Sequence, residues 1–114
     1  MEVRVTHHEL VTVLAIAGSV DSLTAEHLTN ALTEQVDAGR IRLVADFSEV
    51  AYTSSAGLRS LLGALKASRQ RGGDLRIAAL QPAVQRVLAL SGFTSIVQIF
   101  DDGLSAVASY DAGR

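Results

Sequence analysis

The apolar residues of this 114-residue chain change period several times, and each change marks an element. Val3 and Val5 alternate with charged neighbours, "THHE" makes a polar break at 6–9, and the β-rich run "LVTVLAIAG" follows, which predicts two strands joined by a tight turn. Gly18 closes that hairpin. In "DSLTAEHLTNALTEQVDAG" the spacing lengthens: Leu28, Ala31, Leu32 and Val36 fall at i, i+3, i+4 and i+8, one face of a helix, with Asp21 or Ser22 placed to cap it and Gly39 to end it. "IRLVADF" is nearly continuous in apolar residues, as expected of a central strand covered on both faces.

A second helix carries Leu58, Leu61, Leu62 and Leu65 on one face and stops at Gly72-Gly73, and "LRIAAL" supplies the next strand. Pro82 suits a first helical turn; Val84, Val87 and Leu88 form the apolar stripe of a third helix; Gly92 takes its C′ position. "IVQIF" reads as the last strand. Asp101 and Asp102 then lead a short terminal helix, "GLSAVASY", where carboxylates suit the positive helix end. The order is β-β-α-β-α-β-α-β-α, without repeat, low-complexity stretch or linker. Strands alternating with helices imply an α/β fold with a mixed, mostly parallel sheet, in a single domain spanning residues 1–114.

In such sheets the loops leaving the carboxyl ends of the strands form the usual functional edge. Two segments qualify here: "GSVDSLT" after the second strand and "DFSEVAYTSSAG" after the third. The second places Thr53, Ser54 and Ser55 directly before a leucine-rich helix. Taken alone, "TSSAG" is a helix start, since a Ser or Thr hydroxyl accepts from a free backbone N–H of the first turn. Asp21 reads equally well as a plain helix cap, and Gly57 as a site of close helix packing or of close approach to a partner.

Composition narrows the functional classes. With 48% hydrophobic residues the chain buries a core without metal or disulfide staples. Ten Lys and Arg against twelve Asp and Glu, a formal charge of −2, give no footprint for nucleic acid and no polybasic membrane patch. There is no cysteine, which excludes thiol chemistry and fits a reducing compartment. The amino-terminal residues have neither the basic segment nor the apolar run of a signal peptide, and no stretch approaches a membrane span, so a cytoplasmic location is expected. His7, His8 and His27 lack metal-ligand spacing and read as surface or turn residues. A serine hydrolase elbow needs glycine two places before the serine, where Thr53 stands, and no His or Asp follows in order. A kinase is excluded by the lack of a phosphate-binding loop and of a carboxylate cluster for magnesium.

"GSVDSLTAEHL" resembles the Gly-x-(apolar)-Asp-x-x-Thr stretch of STAS domains of the anti-sigma factor antagonist family. "DFSEVAYTSSAGL" resembles that family's Asp-(apolar)-Ser-x-(apolar)-x-(aromatic)-x-Asp-Ser-x-Gly-(apolar) signature. The resemblance extends over essentially the whole chain. It implies that Ser55 is phosphorylated by a partner that is both anti-sigma factor and serine kinase of the histidine-kinase-like ATPase type, and that a metal-dependent serine phosphatase removes the phosphate. It implies a non-enzymatic binding module without a cofactor, a monomer or weak dimer. The partner surface is expected around Asp21, Ser22, Thr24, Thr53, Ser54, Ser55, Gly57 and Arg59, the last lying four residues after the acceptor. The family pattern has Asp where this chain has Ser54, which leaves Ser54 and Thr53 as competing acceptors. Other STAS-like roles stay open at this point: an accessory subunit of a lipid-transport ATPase, part of a stress-signalling assembly, or a small-molecule or nucleotide sensor.

Overall fold

The computed structural model describes residues 1–111. Its elements are β1 (Glu2–His8), β2 (Val11–Ala17), α1 (Ala25–Asp37), β3 (Arg42–Glu49), α2 (Ser55–Gln70), β4 (Asp74–Ala78), α3 (Pro82–Leu90), β5 (Gln98–Phe100) and α4 (Gly103–Ser109). The expected order of elements is kept, and one 3₁₀ turn, Phe93–Ser95, is added before β5. The sheet follows chain order, β1-β2-β3-β4-β5; β1 pairs antiparallel with β2 and every later neighbour is parallel.

β3 is the central strand, and its sequence shows why. Leu43, Ala45 and Phe47 point to one face and Val44 to the other, all fully buried. The first face carries the main core: Leu14 and Ile16, Leu43 and Phe47, Leu75 and Ile77 meet Leu28 and Leu32 of α1, Leu61 and Leu65 of α2, and Val84 and Leu88 of α3. Burying a side chain such as Phe47 contributes roughly 1.5–3 kcal/mol, so the sum over this face dominates the stability. The opposite face has a smaller cluster, Val11, Val13, Val44 and Ala78, covered by Ala106 of α4.

Several expected boundaries move. The polar segment "THH" belongs to β1, which continues to His8 because an edge strand can expose polar side chains; His7 Nδ1 and Thr12 Oγ1 pair across the hairpin at 3.1 Å. The turn is the two residues Glu9 and Leu10, and Glu9 takes a positive φ of 57°, as two-residue hairpin turns require. α1 begins at Ala25, not directly after Asp21 or Ser22; Thr24 is the N-cap residue, without a side-chain capping bond. The last strand is only Gln98–Phe100, because Ile96 follows the 3₁₀ turn and Val97 packs into the main core. Asp102 does cap α4, accepting from Ser105 N–H at 2.7 Å, and this bond holds its carboxyl below the usual range.

A polar network ties the amino end of β4 to its surroundings. The Asp74 carboxylate receives Arg69 Nε at 2.9 Å and Arg76 Nε at 3.1 Å. Arg76 lies 3.9 Å from the centre of the Tyr110 ring and donates to Ser109 Oγ, while Tyr110 Oη lies 2.7 Å from Leu43 O and 2.9 Å from Asp74 O. Burial, and after it the Asp74 charge, pushes the Tyr110 hydroxyl well above the ordinary phenol range, so it remains a donor. A raised folded-state value means that this stabilisation is intact below the unfolded value, about 10, and is lost as pH rises further. Tyr110→Phe is expected to lower stability by about 1 kcal/mol at neutral pH in urea titrations. The variant should then lose stability less steeply than the parent above pH 10; parallel profiles would show that the hydroxyl is not the titrating anchor.

Candidate functional site

The loops after β2 and β3 meet at the carboxyl edge of the sheet. Val20 and Thr53 form an isolated parallel bridge, in which Val20 N–H donates to Tyr52 O at 3.0 Å and Ser54 N–H donates to Val20 O at 2.7 Å. The approach to this bridge is bent, because Ala15 pairs with Asp46 but Ala17 pairs with Glu49, so β3 carries one extra residue there. The two segments singled out in the sequence are therefore one hydrogen-bonded unit.

The three adjacent hydroxyls occupy three different environments. Thr53 is buried at 2% exposure, with Oγ1 donating to Ser54 O at 3.3 Å. Ser54, not Ser55, is the N-cap residue of α2, with extended backbone at φ −98° and ψ 175°. Its side chain makes no capping bond, and Oγ is buried with no hydrogen-bond partner among the described residues. Ser55 is the first helical residue and is exposed. Of the hydroxyls in "TSSAG" the cap position thus falls to Ser54, and the capping bond that a helix start predicts is not made.

A consequence follows for Ser54. Replacing an N-cap Ser that does bond its helix costs about 0.5–2 kcal/mol. Here the oxygen is buried without a partner, so Ser54→Ala is expected to change stability by no more than about 0.5 kcal/mol, or to raise it. A loss above about 1 kcal/mol in chemical denaturation would mean that the hydroxyl caps α2 in solution.

Gly57 sits under this unit. A Cβ built there would lie 2.5 Å from Thr53 Oγ1 and 2.7 Å from Val20 Cγ1. Of the two readings the sequence left open for Gly57, the geometry selects packing, because the residue is buried against the chain's own loops.

Asp21 does not cap α1; it organises its own loop. Asp21 Oδ1 accepts from Leu23 N–H at 2.9 Å and Thr24 N–H at 3.0 Å and lies 3.2 Å from Thr24 Oγ1. The Thr24 and Leu23 amides hold the carboxyl below the usual aspartate range, so it is ionised at neutral pH. Ser22 lies exposed at the tip of the loop. Arg59, one turn beyond Ser55 on α2, is exposed, and among the described residues no carboxylate is within ion-pair distance of it. Arg59 also borders a groove of about 470 Å³ between α1 and α2, whose α2 wall is built from Ala56, Ser60, Gly63, Ala64 and Ala67.

Two residues of this edge escape a reading based on hydroxyls and charges. Leu23 is 89% exposed and Tyr52 is 52% exposed, each on one of the two joined loops. Both are available for contact, as single exposed apolar side chains on a protein surface commonly are. The signal in the sequence was the lone Leu in "DSLT", an apolar residue in a polar loop with no periodic partner. Among the described residues no helix is long and apolar enough to cross a membrane, and no group of three His, Cys, Asp or Glu is placed to hold a metal ion.

A family model described as "STAS domain" matches residues 2–106. BtrV, a candidate anti-sigma factor antagonist of Bordetella bronchiseptica, is 39% identical over 98 residues that span 86% of this chain and 84% of BtrV. The anti-sigma-B factor antagonist of Listeria monocytogenes is 36% identical over 85 residues, 74% of each chain. The anti-sigma-F factor antagonist RsfB of Mycobacterium tuberculosis is 30% identical over 112 residues, 98% of this chain and 91% of RsfB. Among solved structures, an anti-sigma factor antagonist from Mycobacterium paratuberculosis superposes with a TM-score of 0.87 at 26% identity, covering 95% of this chain and 92% of the other. The anti-sigma factor antagonist SpoIIAA shares the fold at 14% identity, with a TM-score of 0.77 for its unphosphorylated form, over 99% of this chain and 100% of SpoIIAA.

Proposed function

The chain belongs to the STAS domain family, and from that premise we propose that it is an anti-sigma factor antagonist switched by phosphorylation of Ser55. Unphosphorylated, it binds an anti-sigma factor that is also a serine kinase and so releases a sigma factor; phosphorylated, it lets the anti-sigma factor go. The relatives named above support the regulatory role. The partner supplies ATP and magnesium, the γ-phosphoryl group passes to Ser55 Oγ, the hydroxyl proton leaves to a base of the partner, and ADP departs. A metal-dependent serine phosphatase hydrolyses the ester and resets the switch. The protein is a regulatory binding module of the cytoplasm and not an enzyme.

The observation that carries this reading is the contrast among the three hydroxyls. Thr53 is buried, the Ser54 oxygen is buried, and Ser55 alone is exposed, on the edge where two apolar side chains also face solvent. A kinase active site needs an acceptor oxygen it can reach in line with the phosphate, which favours Ser55. Incubation with the serine-kinase anti-sigma factor, ATP and magnesium is expected to add one phosphate at Ser55 and none to Ser55→Ala. Mapping of the phosphate to Thr53 or Ser54 would sink the assignment.

A further inference from the structure

The loop 19–24 is closed by internal hydrogen bonds that converge on two side chains, Asp21 and Thr24. Thr24 Oγ1 accepts from Asp21 N–H at 2.9 Å and donates to Ser19 O at 2.9 Å, and it stands 3.2 Å from Asp21 Oδ1. Asp21 Oδ1 in turn receives the amides of residues 23 and 24. Among the described residues, the hydrogen-bond partners of the Asp21 carboxylate are therefore inside its own loop, and none belongs to the Ser55 segment. Between the ends of this closed turn lies Val20, fully buried, whose N–H and C=O clamp Tyr52 O and Ser54 N–H. Ser54 is the N-cap residue of α2.

We propose that Thr24, closed onto Asp21, is a positioning residue of the switch: the turn fixes Val20, Val20 fixes the backbone of Tyr52–Ser54, and that backbone sets where Ser55 presents its hydroxyl. The proposal rests on the reading of Ser55 as phosphoacceptor. It assigns Asp21 a structural task, holding a turn through its acceptor oxygen, in place of an electrostatic one directed at the acceptor serine. It also accounts for Leu23: a loop tied at Asp21 and Thr24 holds that side chain in water before any partner arrives, which reduces the ordering cost of association.

Two measurements on the full chain test this together. In the first, amide hydrogen exchange is followed by NMR. Thr24→Val is expected to speed exchange of the Ser54 amide at least tenfold while the Ile77 amide of β4 keeps its rate, and Thr24→Ser, which retains the hydroxyl, should stay within threefold of the parent. Asp21→Asn keeps an acceptor oxygen and should resemble the parent, whereas Asp21→Ala should resemble Thr24→Val. In the second, the serine-kinase anti-sigma factor is assayed with each variant as substrate. Thr24→Val should lower kcat/KM at Ser55 at least tenfold, and Thr24→Ser should restore it. Unchanged Ser54 exchange in Thr24→Val overturns the proposal whatever the kinase does. So does a kcat/KM for Asp21→Asn as low as that of Asp21→Ala with Ser54 protection intact, since the carboxylate would then act by charge. If the parent itself takes no phosphate at Ser55, the phosphorylation reading falls, and the exchange measurement still decides whether Thr24 sets the Tyr52–Ser54 backbone.

Discussion

Phosphorylation of Ser55 is expected to lower affinity for the anti-sigma factor at least tenfold while the melting temperature stays within a few degrees of the unmodified protein. Both halves come from the position of the residue. Phosphorylation adds roughly −1.5 to −2 charges and three acceptor oxygens. Ser55 is the first residue of a 16-residue helix, where free N–H groups and the positive end of the helix dipole favour an anion. The hydroxyl faces solvent, so the fold need not desolvate the new charge. Arg59, four residues on and without an ion-pair partner among the described residues, is placed to hold part of it. Arg59→Ala should therefore lower the melting temperature of the phosphorylated form more than that of the unmodified form. A partner surface shaped to a neutral hydroxyl must strip water from the phosphate without matching it, and about 2.7 kcal/mol of mismatch already weakens binding 100-fold. Calorimetric titration of the two forms reads the affinity change. Loss of amide protection between Gly57 and Lys66 on phosphorylation would instead mean that the switch melts α2.

The second large effect is expected from the smallest substitution at the site. Gly57→Ala gains about 1 kcal/mol of helix propensity. It also drives a methyl carbon to 2.5 Å from Thr53 Oγ1 and 2.7 Å from Val20 Cγ1, inside a buried contact. Overpacking of that kind costs about 1–3 kcal/mol, and the atoms that must yield belong to Val20 and Thr53, the two residues of the bridge. The net expectation is a loss of up to about 2 kcal/mol together with faster exchange of the Ser54 amide. Gly63→Ala, two turns along the same helix, is the control: nothing lies within 4 Å of its Cβ position, so propensity alone acts and stability should rise by up to about 1 kcal/mol. Urea titration of the pair decides the matter, because equal signs for the two variants would mean that the Val20–Thr53 contact yields freely.

The elements legible in the sequence are those whose apolar spacing has a single solution. Leu58, Leu61, Leu62 and Leu65 fit one helix face and no strand, and the nearly unbroken run around Val44 required a strand covered on both sides. Glycines at 39, 72 and 92 marked helix ends because each adopts a positive φ there. The boundaries missed are those where a residue type has two local uses. Asp21 and Ser22 suit an N-cap, but Asp21 also suits a side-chain-closed turn, and it is the turn that forms, with Thr24 at the cap position. "THH" is polar enough for a loop but lies on an edge strand, where polarity is tolerated. The cluster of hydroxyls was legible, and its differentiation was not, because a one-residue shift in where α2 starts decides which oxygen faces inward.

The Asp74 network and the Ser55 edge stand at opposite ends of the same parallel strands, so the residues that fasten the fold are not those proposed to meet a partner. If the proposed edge meets the partner, substitutions at the exposed Leu23 or Tyr52 would alter what that partner meets while Tyr110, Arg76 and the core continue to hold the sheet. A gene copied within one genome can thus drift toward a different anti-sigma factor through surface changes that leave the folding equilibrium almost untouched. The Val20–Thr53 bridge sets the limit on that drift, since a change reaching it alters recognition and architecture together.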